Sequence, residues 1–149
     1  MSYDLEFLRE GAGESWEAAW EAVEGGDAAA PDTQVRAAVT AAARELLGDV
    51  TVHEGELYCE LEHPATGIQL NLYRHSAAIT VPFRYTGAEA ATIVGQIYEL
   101  GRIVERHTGL AGYDPQTGRP LTEAAAQPDR AVEIFDRTAA QFAQRGIRT

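Results

Sequence analysis

Four short segments with alternating apolar and polar side chains follow one another between residues 50 and 84, and this run constrains the fold more than any other feature. The segments cover residues 50–53, 56–62, 67–74 and 77–84, and short polar or glycine-containing connections separate them. A period of two predicts β-strands, and such short connections join antiparallel neighbours. We therefore predict an antiparallel meander in which Leu57, Cys59 and Leu61 face the core.

Helical patterns flank this meander on both sides. Residues 3–8 alternate like a strand, and apolar residues recur at helical spacing in 14–24, 32–47, 87–108 and 129–144. Gly48 and Gly109 follow the two central helices as stop signals, and Thr86 with Glu89 has the spacing of a capping box. Residues 110–113 and 119–121 predict a further hairpin. Because the strands are grouped, we predict one α+β domain over residues 1–149, with an antiparallel sheet of about five to six strands and helices packed on one face.

The acidic charge is concentrated in one half of the chain. The formal net charge is −11; residues 1–75 contain 15 acidic and 4 basic residues, whereas residues 76–149 contain 8 of each. A one-sided acidic field attracts basic proteins and repels nucleic acid and anionic membranes. The composition therefore predicts a basic protein as partner, with no nucleic-acid or membrane binding.

The first predicted helix carries an acidic stripe opposite its tryptophans. Glu14, Glu17, Glu21 and Glu24 repel one another at this spacing, and a basic partner would relieve that repulsion. The alternative interpretation is a solvated helix face, or a set of acids neutralised by arginines within the chain.

A second candidate surface is the face of the meander that points away from the core. It carries Tyr58, Glu60, Glu62, Asn71 and Tyr73. Aromatic rings that provide contact area beside polar groups that provide specificity are typical of a recognition surface. A solvated sheet face, in which the tyrosines reflect β-propensity, is the alternative.

The residues favour no catalytic, cofactor or metal site; the minor alternative is that Glu60 and Glu62, on one strand face, converge with a histidine as metal ligands or acid–base groups. Cys59 lies in phase with apolar neighbours, which predicts a buried, inert thiol, and the four histidines lack metal-ligand spacing. The segment 11–13 lacks the third glycine of a nucleotide-binding turn. With one cysteine, no signal-like start and no long apolar run, we expect a cytoplasmic protein that does not span a membrane.

Two elements near the ends of the chain carry a resemblance. The opening Met1-Ser2-Tyr3-Asp4-Leu5 and the late Gly-Leu-Ala-Gly-Tyr-Asp-Pro-Gln stretch of residues 109–116 resemble a loose group of small uncharacterised bacterial proteins. The resemblance implies a single α+β domain. That group has no established activity, so it assigns no role to any residue here. Proline and glycine explain residues 114–118 as a structural turn.

Taken together, these features predict a small cytoplasmic acidic module that binds a basic protein. One version is an immunity- or antitoxin-like protein that presents carboxylates to a basic toxin. Two alternatives stay open. One is a small-ligand-binding protein or enzyme with a site near Tyr113 and Asp114, together with His53 or His63. The other is a homo-oligomeric structural domain.

Overall fold

The computed structural model describes residues 2–9 and 31–144, whose strands form one seven-stranded antiparallel sheet. The strands are β1 (Ser2–Leu8), β2 (Thr51–Glu54), β3 (Cys59–His63), β4 (Ile68–Leu72), β5 (Ser76–Pro82), β6 (Ala111–Asp114) and β7 (Arg119–Pro120). The helices are α1 (Thr33–Leu47), α2 (Gly87–Thr108), α3 (Leu121–Ala126) and α4 (Pro128–Gln144). The predicted α+β class is confirmed, with seven strands in place of five to six. The short helix α3 was not predicted.

The first strand is inserted into the middle of the sheet. The strand order is β2-β3-β4-β5-β1-β6-β7, so β1 joins the predicted meander to the late hairpin. In the pairing register, Phe7 lies opposite Ala77 of β5 on one side and opposite Gly112 of β6 on the other. This insertion places Asp4 and Glu6 of β1 on the same sheet face as Glu60 and Glu62 of the meander.

Helices α1 and α2 begin and end close to the predicted residues. The Asp32 side chain caps α1 by accepting a hydrogen bond from the backbone N–H of Gln34 at 2.8 Å. Gly109 ends α2 in the left-handed conformation, with φ of 74°. The predicted capping box at Thr86 is wrong, because its side chain makes no capping hydrogen bond. Asp136 of α4 instead accepts the Gly87 N–H at 2.8 Å.

The core lies on one face of the sheet, beneath the described helices. Alternate residues of β1, among them Tyr3 and Phe7, are fully buried there. The Tyr3 ring stacks on Phe135 of α4 with ring centroids 5.1 Å apart, and Phe83 packs against Phe135 at the same separation. The aromatic cluster therefore fixes α4 over β1 and the end of β5.

One predicted core residue is exposed. Leu57 is 50% exposed, because it lies in the two-residue turn that joins β2 to β3. The Gly55 N–H donates to the Tyr58 carbonyl oxygen at 3.0 Å and closes this turn. The alternating pattern therefore starts at Cys59 and not at residue 56.

The predicted helix over residues 14–24 lies outside the described residues. Within residues 2–9 and 31–144, no helix combines the length and hydropathy needed to cross a membrane.

Candidate functional site

The sheet face opposite the core forms a continuous polar surface. Side chains alternate between the two faces along each strand, so the pairing register identifies the residues that share this surface. We call those in the two central cross-strand rows of β1 to β5 the polar face, which consists of Asp4, Glu6, Thr51, His53, Glu60, Glu62, Gln69, Asn71, Ala78 and Thr80. All ten are exposed or half-buried. Five adjacent strands therefore contribute to one surface.

The polar face is organised in two cross-strand rows. In the first row, each residue lies opposite the next in the order His53, Glu60, Asn71, Ala78, Glu6. In the second row, the order is Thr51, Glu62, Gln69, Thr80, Asp4. Each row thus has one carboxylate on β3 and one on β1. Three strand spacings separate them, or about 14 Å.

Basic groups within the polar face compensate little of its acidic charge. Four of its ten residues are carboxylates and none is an arginine. Among its ten residues, the group that can carry a positive charge is His53, whose Nε2 lies 3.8 Å from the Glu62 Oε2 and is charged only when protonated. These side chains are 51% and 39% exposed, so water screens the contact and it contributes little to stability.

Glu6 shows the effect of this charge on titration. Partial burial raises the pKa of its carboxyl group, and the negative charge of Asp4 raises the pKa further. Asp4 is itself held in place, because the Ser2 hydroxyl donates to its Oδ1 at 2.7 Å. The β1 carboxylates therefore lie in an environment that favours the approach of a cation.

Two aromatic side chains, Tyr58 and Tyr73, border the polar face at one end, which we call the tyrosine end. One step beyond the last β3–β4 pair, Cys59 with Leu72, the same register brings Tyr58 opposite Tyr73. Their exposed fractions are 40% and 36%, and the Tyr58 ring packs on Gly55 in the adjacent turn. These rings, with Leu57, are the exposed large apolar side chains of the described residues.

The structure brings together the sheet residues that the sequence singled out. Tyr58, Glu60, Glu62, Asn71 and Tyr73 all lie on the polar face or at its tyrosine end. Their role in binding stays a prediction. The four glutamates of the other predicted surface, Glu14, Glu17, Glu21 and Glu24, lie outside the described residues.

Asp4 and Glu6 were not among the predicted site residues. Their alternation with Tyr3, Leu5 and Phe7 places them on the solvent side of β1 and is visible in the sequence. Nothing local, however, shows that β1 pairs with β5. That pairing alone brings these carboxylates into the same rows as Glu60 and Glu62.

Asp114, named in the enzyme alternative, is the centre of a buried hydrogen-bond cluster. Its carboxylate is fully buried, and its Oδ2 accepts from the Tyr3 hydroxyl at 2.5 Å and from the Tyr98 hydroxyl at 2.7 Å. Its Oδ1 accepts from the backbone N–H of Gln116 at 3.0 Å and of Thr117 at 3.3 Å. Four donors thus satisfy the charge without a cation.

The same cluster changes the titration of its tyrosines. Burial raises the pKa of Tyr3, and the charge of Asp114 adds to the increase. Burial is also the main cause of the raised pKa of Tyr98; the contact between its hydroxyl and that of Tyr3 opposes the increase. Both hydroxyls therefore stay protonated and donate to the carboxylate, which fastens β1 and α2 to the turn after β6.

The histidines of the enzyme alternative do not reach this cluster. His53 is on β2, at the opposite end of the sheet from β6, and it is exposed. His63 is buried on the core side, where its Nδ1 lies 2.6 Å from the Thr66 hydroxyl. Within the described residues, no three acidic, histidine or cysteine side chains are grouped as metal ligands would be.

Cys59 is buried, as its position in the alternating pattern predicts. It is 1% exposed, and burial raises the pKa of its thiol, with a smaller contribution from the charge of Glu54. Arg36 opposes this increase. The neutral thiol packs as a small apolar side chain in the core.

The fold and site define an α+β protein with a polar, acid-rich sheet face. Comparison of the chain with protein-family models, with curated proteins and with solved structures gave no match in any of the three. The resemblance to small bacterial proteins stays a prediction.

Proposed function

We propose that the protein is a cytoplasmic binding module whose polar face engages a basic surface of another protein. The observation that carries this proposal is the gathering of Asp4, Glu6, Glu60 and Glu62 on one sheet face without an arginine among its residues. An immunity- or antitoxin-like inhibitor of a basic nuclease toxin is the specific version that we favour, because carboxylates presented on a rigid sheet can occupy the positions where such a nuclease binds phosphates.

The charge distribution supports a basic partner. The four carboxylates occupy a sheet whose backbone is fixed by pairing on both sides, so little conformational entropy is lost when a partner binds. Clustered charge of one sign accelerates association with an oppositely charged surface. Arginine is the preferred counterpart because its planar guanidinium donates two parallel hydrogen bonds to one carboxylate.

The tyrosine end supports the same partner chemistry. Exposed Tyr58 and Tyr73 supply apolar contact area next to the carboxylates, and tyrosine is common among the residues that dominate interface energies. An arginine that reaches their rings also gains a cation–π contact. The polar face therefore combines carboxylates that accelerate association with aromatic rings that stabilise the complex.

The test is capture of partners from native lysate at low salt by the immobilised protein and two charge-matched variants. One variant carries Glu60→Gln and Glu62→Gln on the polar face. The control carries Glu99→Gln and Glu133→Gln on exposed positions of α2 and α4. We expect a basic protein that the wild type and the control retain and the face variant loses. Equal retention by both variants would contradict the proposal.

A captured partner allows a direct measurement of affinity. We expect the affinity to fall by roughly an order of magnitude between low and physiological salt, because exposed charges are screened. Tyr73→Ala should weaken binding without altering the salt dependence. If the affinity is independent of salt, the charge-based proposal is wrong. For the immunity-like version, the partner's toxic activity should decrease in proportion to complex formed.

A further inference from the structure

The two edges of the sheet differ in how they are protected. At one edge, β7 has two residues, includes Pro120 and leads directly into α3. Proline and a short strand both prevent further strand pairing. At the other edge, β2 has four residues, Thr51–Glu54, contains no proline and, among the described strands, pairs only with β3. No strand of residues 2–9 and 31–144 covers the β2 edge, which we call the open edge.

The hydrogen-bond pattern shows which β2 residues are available. The Gly55 N–H donates to the Tyr58 carbonyl oxygen, so this pair is a hydrogen-bonded one. Hydrogen-bonded and non-hydrogen-bonded pairs alternate along an antiparallel ladder. The backbone N–H and C=O groups of Val52 and Glu54 consequently point away from β3, towards the open edge.

A groove runs beside this edge, between β2 and α1. Its volume is about 500 Å³; Val52 and Glu54 line one side, and short α1 side chains such as Thr40 and Ala41 line the other. Small side chains leave room for an added chain. The groove is thus next to the same two residues whose backbone groups are available.

Two arginines give the groove a charge preference opposite to that of the polar face. Arg36 and Arg44 both line it, and Glu54 supplies the one carboxylate of its lining. Arg36 Nη1 lies 3.8 Å from Glu54 Oε2, and the Glu54 side chain is 58% exposed, so this pair is loose. Among the described residues, no carboxylate lies within ion-pair distance of Arg44.

The spacing of these arginines matches an extended chain. Residues eight apart on a helix are separated by about 12 Å along its axis. Residues four apart in a strand share one face and are separated by about 13 Å. An extended segment with acidic side chains four residues apart therefore matches the spacing of Arg36 and Arg44.

We propose that the β2 edge and this groove bind an extended acidic segment of a partner protein by strand addition. The segment's backbone pairs with Val52 and Glu54, and its carboxylates contact Arg36 and Arg44. Main-chain hydrogen bonds then give affinity and the arginines give specificity. This surface is distinct from the polar face and takes a partner of opposite charge.

The test measures binding of fluorescent peptides by anisotropy. The probe is an extended Thr- and Val-rich peptide with two glutamates four residues apart; the control has lysines at the same positions. We expect saturable binding of the glutamate peptide only. Arg44→Gln should weaken it by roughly threefold, the loss of one exposed ion pair, whereas Arg130→Gln, at an exposed position on α4, should not change it.

Strand addition has its own readout. Val52→Pro removes a backbone N–H that faces the open edge, and it removes no hydrogen bond to β3. We therefore expect this variant to lose peptide binding. An unchanged thermal unfolding midpoint would show that the fold is kept. If this variant unfolds, two peptides methylated on alternate backbone nitrogens replace it, and only one of them should bind wild-type protein.

Several outcomes would overturn the proposal. These are equal binding of the lysine peptide, undiminished binding by Arg44→Gln, equal binding of the two methylated peptides, and no saturable binding at all. A dimer of the chain in solution that dissociates with Val52→Pro would assign the edge to a second copy and also overturn it.

Discussion

Replacing Tyr98 with phenylalanine tests whether the buried Asp114 cluster stabilises the fold. The Tyr98 side chain is 4% exposed, and its hydroxyl donates to the Asp114 Oδ2 at 2.7 Å. Hydrogen bonds to charged groups contribute about 1.5–3 kcal/mol. Tyr3 still donates to the same oxygen in the variant. We therefore expect Tyr98→Phe to lower the free energy of unfolding by about 2 kcal/mol.

The double variant Tyr3→Phe/Tyr98→Phe should lose more than the two single variants together. In each single variant the Asp114 Oδ2 keeps one hydroxyl donor, but in the double variant it has none. We expect a coupling energy of about 1 kcal/mol or more.

Urea denaturation followed by circular dichroism measures these changes. A loss of about 2 kcal/mol corresponds to a decrease of about 4–8 °C in the thermal midpoint for a chain of this size. Tyr73→Phe, at an exposed ring, is the control and should stay within about 0.5 kcal/mol of the wild type. A Tyr98→Phe variant as stable as this control, or strictly additive single variants, would refute the reasoning.

Three further predictions concern single positions. Gly112→Ala should destabilise the protein by about 1–3 kcal/mol, because a Cβ there would lie 2.8 Å from the Phe7 ring. Gly95→Ala, in open space on helix α2, should stabilise the protein by up to about 1 kcal/mol. Urea denaturation of both variants measures these changes. Glu6→Gln should increase stability at pH 7. The pKa of Glu6 is raised in the folded state, so ionising its carboxyl group above the usual 4.5 costs folding free energy that the neutral glutamine does not lose. The stability gain of the variant should therefore disappear in stability curves measured below that pH. Cys59 should react with a thiol reagent only after denaturation, because its buried thiol has a raised pKa; rapid reaction of the native protein would contradict this.

The sequence predicted the elements well wherever local patterns decide them. The bounds of α1 and α2 follow from Asp32, Gly48 and Gly109, residues that act within one helical turn. The error at Leu57 has a local cause too. Alternation alone does not mark where a turn begins, and a two-residue turn takes the apolar residue out of the core.

The candidate site could be predicted only in part. Tyr58, Glu60 and Glu62 were placed on one face because their strand alternates, and adjacent antiparallel strands in a meander pair in chain order. Asp4 and Glu6 were not included, since β1 is far in sequence from the strands that it joins. The groove between α1 and β2 was not predicted either, because helix placement depends on packing of the whole core.

The sequence by itself determined the α+β class, the alternation of each strand and the acidic balance, since these depend on neighbouring residues and on composition. The tertiary structure decided which strands are adjacent. Inserting β1 between β5 and β6 buries Tyr3 and Phe7 against the helices and leaves Asp4 and Glu6 on the polar face. It also brings Tyr3 to Asp114, whose carboxylate accepts four hydrogen bonds from within the protein. Such long-range pairings depend on the combined burial of many side chains, which no local pattern specifies.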